Sequence, residues 1–229
     1  MAAAVLQQVP RCEARYLGVV PYAEGLRLQA ELVERRAAGL CDDQLLLLEH
    51  PHVLTLGRNA KAAHVLADSV RLAALGVELH ECGRGGDVTY HGPGQLVAYP
   101  IIGLDPRRRD LRRYVRDLEE VLLRVLAGYG IVGHRVPGKT GVWVERHDLP
   151  PAKVAAIGVR VSRWVTSHGI ALNVRTDLRY FDLIVPCGLA GSAVTSLAEL
   201  LPEAPEVPDV AARFAAEFGA VYGRQMSLR

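Results

Sequence analysis

The stretch Val154-Ala155-Ala156-Ile157-Gly158-Val159-Arg160-Val161-Ser162-Arg163 is followed, after Trp164 alone, by Val165-Thr166-Ser167-His168-Gly169-Ile170-Ala171-Leu172-Asn173-Val174. Both halves are rich in β-branched and small apolar residues, and both read as strands. Ile131 to Val136 and Gly141 to Glu145, just upstream, read as strands as well. No helical segment separates these runs. A parallel pair needs a long crossover, usually a helix, so strands that follow one another this closely point to antiparallel pairing.

Further out, Gln44 to Glu49, Val53 to Gly57, Val77 to Cys82 and Leu96 to Ile102 are short apolar runs bounded by polar or turn residues, and they read as strands. Helical spacing marks Tyr22 to Ala38, through Leu26, Ala30, Val33 and Ala37, with Gly39 as the stop. Val70 to Leu75 reads as a short helix closed by Gly76. Asp110 is placed to cap the longest helix, Leu111 to Ala127, whose apolar positions recur every three or four residues. Asp209 is expected to cap a last helix running to Val221. Helices and strands mix without a regular βαβ alternation. The expected fold is therefore α+β, a mixed, largely antiparallel sheet flanked by helices, with residues 1–229 forming one domain.

Half of the 229 residues are hydrophobic, enough for a sizeable core, and the net charge is +2. So balanced a charge does not mark the whole molecule as a binder of nucleic acid or of membrane. No apolar run approaches the roughly 18 residues of a membrane span. Met1 to Arg11 lacks a basic start and does not read as a signal peptide. The four cysteines, Cys12, Cys41, Cys82 and Cys187, form no Cys-x-x-Cys pair. They read as reduced thiols of a cytoplasmic protein, with Cys12, Cys41 and Cys82 as inert packing.

Gly133-His134-Arg135-Val136-Pro137-Gly138-Lys139-Thr140 spells a phosphate loop. That loop works only where a helix begins at its Lys-Thr, so that backbone amides face the phosphates. Here Gly141-Val142-Trp143-Val144-Glu145 follows, which reads as a strand, so a turn between strands is the better reading. Arg84-Gly85-Gly86-Asp87-Val88-Thr89-Tyr90-His91-Gly92-Pro93-Gly94-Gln95 is more informative. Its glycines let a backbone approach a ligand and its polar residues could orient one, although a hairpin with glycine turns would use the same residues.

Three further positions carry chemistry only in combination. Lys153 enters an apolar run and loses part of its hydration, the condition in which an amine can act as a base; a strand-end lysine reaching back to water is the plainer alternative. His168, before an apolar strand, reads by itself as a structural hydrogen-bonding residue rather than a functional one. Cys187 sits in Val185-Pro186-Cys187-Gly188-Leu189, a turn context that exposes it and sets it apart from the other cysteines.

In order and spacing these motifs resemble the octanoyltransferase family of lipoate biosynthesis. The resemblance runs from about Leu47 to Leu197. It takes in Glu49-His50-Pro51 through Leu56-Gly57-Arg58, the Arg84 to Gln95 loop, Lys153 to Arg160, His168 to Val174, and Asp182 through Pro186-Cys187-Gly188 to Thr195-Ser196-Leu197. It implies a fold shared with the catalytic domains of lipoate and biotin protein ligases. It implies that Cys187 carries the acyl group and that Lys153 acts with it. The acyl pocket would be lined by Arg84, Gly85, Gly86, Asp87, Val88, Thr89, Tyr90 and His91, by Ala156, Ile157 and Gly158, and by Gly169, Ile170 and Ala171. The implied donor is octanoyl-acyl carrier protein. The implied acceptors are the lipoyl domains of 2-oxoacid dehydrogenase complexes and the glycine-cleavage H protein. No metal or cofactor, nucleic acid or membrane is expected.

The residue types suit that chemistry. A thioester donor is already activated, and a thiolate exchanges one thioester for another at little cost before an amine draws the acyl group downhill into an amide. A thiol with pKa about 8.5 is mostly protonated at neutral pH, so a neighbouring ammonium would help it ionise. Two alternatives remain at this point: an ATP-dependent lipoate ligase or a carrier-independent amidotransferase on the same fold, and a non-catalytic protein that binds acyl chains or lipoyl domains. Arg107, Arg108, Arg109, Arg112, Arg113 and Arg116 crowd the start of the longest helix. They read either as a solvated face or as a surface that steers an acidic carrier protein.

Overall fold

The computed structural model describes residues 9–104, 109–185 and 193–229. In chain order its elements are β1 (Arg11–Val19), α1 (Tyr22–Ala37), β2 (Asp43–Glu49), β3 (Val53–Leu56), α2 (Ser69–Ala74), β4 (Glu78–Glu81), β5 (Val88–His91) and β6 (Gln95–Ile101). There follow α3 (Leu111–Ala127), β7 (Gly133–Val136), β8 (Lys139–Arg146), β9 (Leu149–Ser162), β10 (Val165–Asn173), α4 (Leu197–Leu200), α5 (Val207–Tyr222) and β11 (Gln225–Leu228). Eight strands form one sheet in the order β11-β1-β2-β6-β10-β9-β8-β7, and β4-β3-β5 form a second. From β2 across to β7 every pair is antiparallel. The exceptions to the antiparallel pattern are β1–β2, β1–β11 and β3–β4, which are parallel.

The strand period of two sorts the core. On β2, Leu46 and Leu48 face α1, packing with its Leu32 and Val33, while Leu45 and Leu47 face α3 and α5. On β6, Val97, Tyr99 and Ile101 take the α1 side, and Leu96 and Ala98 the other. α3 and α5 share that second core, where Tyr222 Oη donates to the Tyr114 carbonyl at 2.8 Å. The second sheet makes its own cluster from Leu54, Val88 and Tyr90, with Leu72 of α2 and with Phe181 and Leu183 of a short 3-10 turn.

Asp110 caps α3 as expected, Oδ1 accepting from Arg112 N at 2.9 Å and Arg113 N at 3.1 Å. Asp209 does not cap α5. That helix starts at Val207 after Glu206, with a proline in its opening positions, and Asp209 lies in its first turn, where a carboxylate favours the helix dipole. The phosphate-loop spelling proves to be a hairpin: β7 and β8 pair with Val136 opposite Lys139, leaving Pro137-Gly138 as the turn. Among the described residues no helix is long and apolar enough to cross a membrane.

Candidate active site

Two close backbone approaches build the site. At Gly158 in β9, a Cβ would lie 3.0 Å from both the Gly85 carbonyl oxygen and Arg84 Cδ. The Arg84–Gly86 loop can therefore lie directly on the strand, with Gly85 N donating to Val159 O at 2.9 Å. At Gly169 in β10, a Cβ would fall 2.1 Å from the Ala98 carbonyl oxygen, so only glycine lets β10 close on β6 there.

Between the loop, β9, β10, the first turns of α3 and the β7–β8 hairpin lies a cavity of about 800 Å³. Of the residues expected at the site, Arg84, Gly85, Gly86, Asp87, Val88, Thr89, His91, Lys153, Ala156, Ile157, Gly158, Gly169, Ile170 and Ala171 all line it. Tyr90 does not. It alternates out of the cavity along β5 into the core of the second sheet, stacked on Tyr180 at 5.1 Å. Cys187, with Pro186 and Gly188, lies outside the described residues.

The flanks of that segment are described. Val185 N donates to His64 O at 2.8 Å, and the His64 ring bonds Asp87 Oδ2 at 2.6 Å. On the far side, Lys153 N donates to Ala193 O at 2.9 Å and Thr195 N donates to Lys153 O at 3.0 Å. The chain that brackets Cys187 is thus tied to Lys153 on one side and to the Gly-rich loop on the other.

The open end of the cavity is cationic. The ammonium of Lys153 lies 4.8 Å from the centre of the Trp143 ring and that of Lys139 lies 5.2 Å from it. Trp143 itself is buried, and the Lys153 stem passes over Gly141, whose missing Cβ would sit 3.4 Å from Lys153 Cε. Arg58 and Asn59, both exposed, complete this end.

The buried end is aromatic and neutral. The Val20 carbonyl can only accept, so His50 Nδ1 donates to it (2.6 Å) and His50 Nε2 accepts from the Tyr99 hydroxyl (2.7 Å). A relay fixes His91 in the same way. Asn173 Nδ2 donates to Thr195 O (2.9 Å), Gln95 Nε2 donates to Asn173 Oδ1 (2.9 Å), and His91 Nδ1 donates to Gln95 Oε1 (2.7 Å). Burial holds His50 down to about 4. Burial, with the proximity of His50, holds His91 down to about 3. His168, whose φ is +54°, is held to about 4 by burial and then by Arg84 and Arg160. Burial raises the Tyr22 and Tyr99 phenols above their usual range. Arg84 is buried too, its Nη2 donating to Thr55 O at 2.7 Å and Thr55 Oγ1 at 2.8 Å.

Sequence reasoning missed Tyr22, Tyr99, Leu111 and Val115, which reach the cavity from elements distant in the chain. Of the cysteines read as packing, Cys12 is buried and its thiol is pushed up to about 12 by burial and then Asp43. Cys41 and Cys82 are only half-buried, and Cys82 Sγ donates to Leu56 O at 3.2 Å.

Residues 21–219 match the Lipoyl protein ligase A/B catalytic domain family. The chain belongs to this family. It is 53% identical to an octanoyltransferase of Chloroflexus aurantiacus over 208 residues, covering 90% of this chain and 92% of that one. It is 52% identical to an octanoyltransferase of Acidobacterium capsulatum, covering 92% and 90%. A bipartite lipoate protein ligase from Thermoplasma acidophilum shares the fold, with a TM-score of 0.74 at 16% identity over 96% of this chain and 86% of that one. Membership in this family's octanoyltransferases makes the protein an acyltransferase of protein lipoylation.

Proposed function

We propose that the protein takes an octanoyl group from octanoyl-acyl carrier protein onto Cys187 as a thioester and passes it to the ε-amine of a lipoyl-domain lysine. The observation that carries this reading is the backbone tie between Lys153 and Ala193–Thr195, which holds the segment after Cys187 against an apolar-lined cavity beside an ammonium group. The Cys187 thiolate attacks the donor carbonyl, and the carrier thiolate leaves, taking a proton from Lys153. The amine of the acceptor then attacks the acyl-enzyme, Lys153 accepts its proton, and Cys187 leaves as thiolate. Burial of each methylene in the cavity contributes about 0.8 kcal/mol to holding the chain. Arg84 to Thr89, His91, Ala156 to Gly158 and Gly169 to Ala171 would line the acyl path, and the lipoyl domains of 2-oxoacid dehydrogenases and the glycine-cleavage H protein fit as acceptors.

Intact-mass measurement after incubation with octanoyl-acyl carrier protein tests the reading. One octanoyl adduct is expected, formed without ATP and discharged by an added lipoyl domain. Adduct formation only with ATP would point to a ligase, and no adduct under either condition would leave only acyl binding.

A further inference from the structure

We propose that Trp143 is a positioning residue for acyl transfer, its indole face holding the Lys153 ammonium and favouring the step in which Lys153 takes up a proton. The proposal rests on the transferase reading for its reaction and adds to it the group that acts through Lys153.

Lysine is scarce in this chain. There are three, Lys61, Lys139 and Lys153, against twenty-four arginines. Two of the three meet one ring: the ammonium of Lys153 lies 4.8 Å and that of Lys139 5.2 Å from the centre of the Trp143 indole. Both distances fall where the negative face of an indole attracts a cation. Arg58, at the same end of the cavity, stays charged and cannot exchange a proton as a lysine can.

The sheet places the ring. Trp143 in β8 lies opposite Lys153 of β9 on one side and His134 of β7 on the other. It is only 2% exposed, yet its Nε1 has no hydrogen-bond partner among the described residues. Burying an unpaired N–H is unfavourable, and a leucine here would avoid it. What the indole offers and a leucine does not is its face. The strands beneath are fixed. Glu119 of α3, itself buried, accepts from Gly141 N at 3.2 Å through Oε1 and from Arg135 Nε at 3.1 Å through Oε2, which ties both β7 and β8 to the helix. Gly141 has a φ of +119°, and a Cβ there would lie 2.6 Å from the Ala155 carbonyl oxygen, so β8 runs close against β9 where the Lys153 stem passes. Lys153 is held at its backbone by Ala193 and Thr195 and at its head by the ring.

Over one turnover the charge on Lys153 changes twice. It begins as an ammonium and gives its proton to the departing carrier thiolate, which leaves a neutral amine beside the acyl-enzyme. In the second half-reaction the N–C bond to the acyl carbon forms, the C–S bond to Cys187 breaks, and the surplus proton of the incoming amine passes to Lys153 Nζ. Positive charge grows on Nζ only in that second half. An attraction that strengthens as the transition state forms accelerates that step alone.

The test replaces Trp143 alone with tryptophans carrying one, two or three ring fluorines, which drain negative charge from the face with little change of shape. Acyl-enzyme formation from octanoyl-acyl carrier protein and its discharge by a lipoyl domain are timed separately by intact mass. Discharge should slow progressively with fluorine, about tenfold at three fluorines, while formation holds within about twofold. Equal slowing of both halves, or a discharge indifferent to fluorine, would overturn the proposal. NMR of lysine-labelled protein reads the contact without turnover. The ring current should displace the Lys153 ε-methylene signal upfield, and Trp143→Leu should return it. An undisplaced signal in the wild type would overturn the proposal at any level of activity. If Trp143→Leu does not fold, the fluorinated set, which keeps the shape of the ring, still decides. A displaced signal in a wild type that forms no acyl-enzyme would defeat the transferase reading and, with it, the role given to the ring.

Discussion

At the buried end of the cavity, three histidines and two tyrosines are kept neutral by loss of hydration, and hydrogen bonds fix the polar atoms of His50, His91 and Tyr99. At the open end stand Lys139, Lys153 and Arg58, and the two lysines are held over one indole ring. The difference follows from what each end must recognise. An alkyl tail offers nothing to a charge. Under the proposed function a thiol must ionise and an acidic carrier must be attracted, and both need positive potential near water.

The largest expected effect is loss of the proposed nucleophile. Cys187→Ser should lower turnover by about a thousandfold or more, because an alkoxide is scarcely available near neutral pH. Alanine at Cys12, Cys41 or Cys82 should leave most of it. Steady-state transfer to a lipoyl domain measures both, and substantial turnover in Cys187→Ser would sink the covalent route. Lys153→Arg comes next. It keeps a cation over Trp143 but cannot give up a proton at working pH, so turnover should fall about a hundredfold. Near-normal rates from pH 6 to 9 would reduce Lys153 to an electrostatic role.

The buried end should show itself in acid rather than in rate. His50, His91 and His168 have folded pKa values of about 4, 3 and 4, below the unfolded value of about 6.5. The unfolded chain therefore binds more protons than the fold between those limits. Their contribution is complete above pH 6.5 and is lost as pH falls toward 4. Tm should drop by about 10 °C or more between pH 7 and pH 4.5. A Tm that stays level over that range would mean that these rings are hydrated in the fold.

The smallest effect concerns the arginines of α3. Leu111 and Val115 line the cavity, so the first turns of the helix stand at its rim, with Arg109 over the Trp164 ring at 4.7 Å and Arg113 3.8 Å from Asp117. Arg107 and Arg108 lie outside the described residues. Arg112→Glu with Arg116→Glu should raise KM for the carrier-borne donor about fivefold at low salt, with less effect on octanoyl-CoA. Equal KM changes for both donors would remove this face from docking.

The sheet was legible wherever apolar runs were long and bounded, as in β2, β6, β9 and β10. It was illegible in β1, where Arg11, Glu13 and Arg15 break the pattern, and in β11, four mostly exposed residues paired in parallel beside it. β5 was hidden inside a glycine-rich segment, so the outward turn of Tyr90 could not be read. Its alternation has meaning only once Leu54 is known to lie opposite.

The sequence alone supplied the candidate residues and their order, because Gly-rich, Lys-x-Ala and Pro-Cys-Gly patterns are local and can be read without the fold. Only the tertiary structure decided what closes the cavity. Tyr22 begins a helix, His91 and Tyr99 end and follow a glycine turn, and His168 sits at a positive-φ position in β10. Nothing in their spacing brings them together. They meet because β6 and β10 pair through Gly169 while α1 lies across that face, and burial in the same place is what makes their rings neutral.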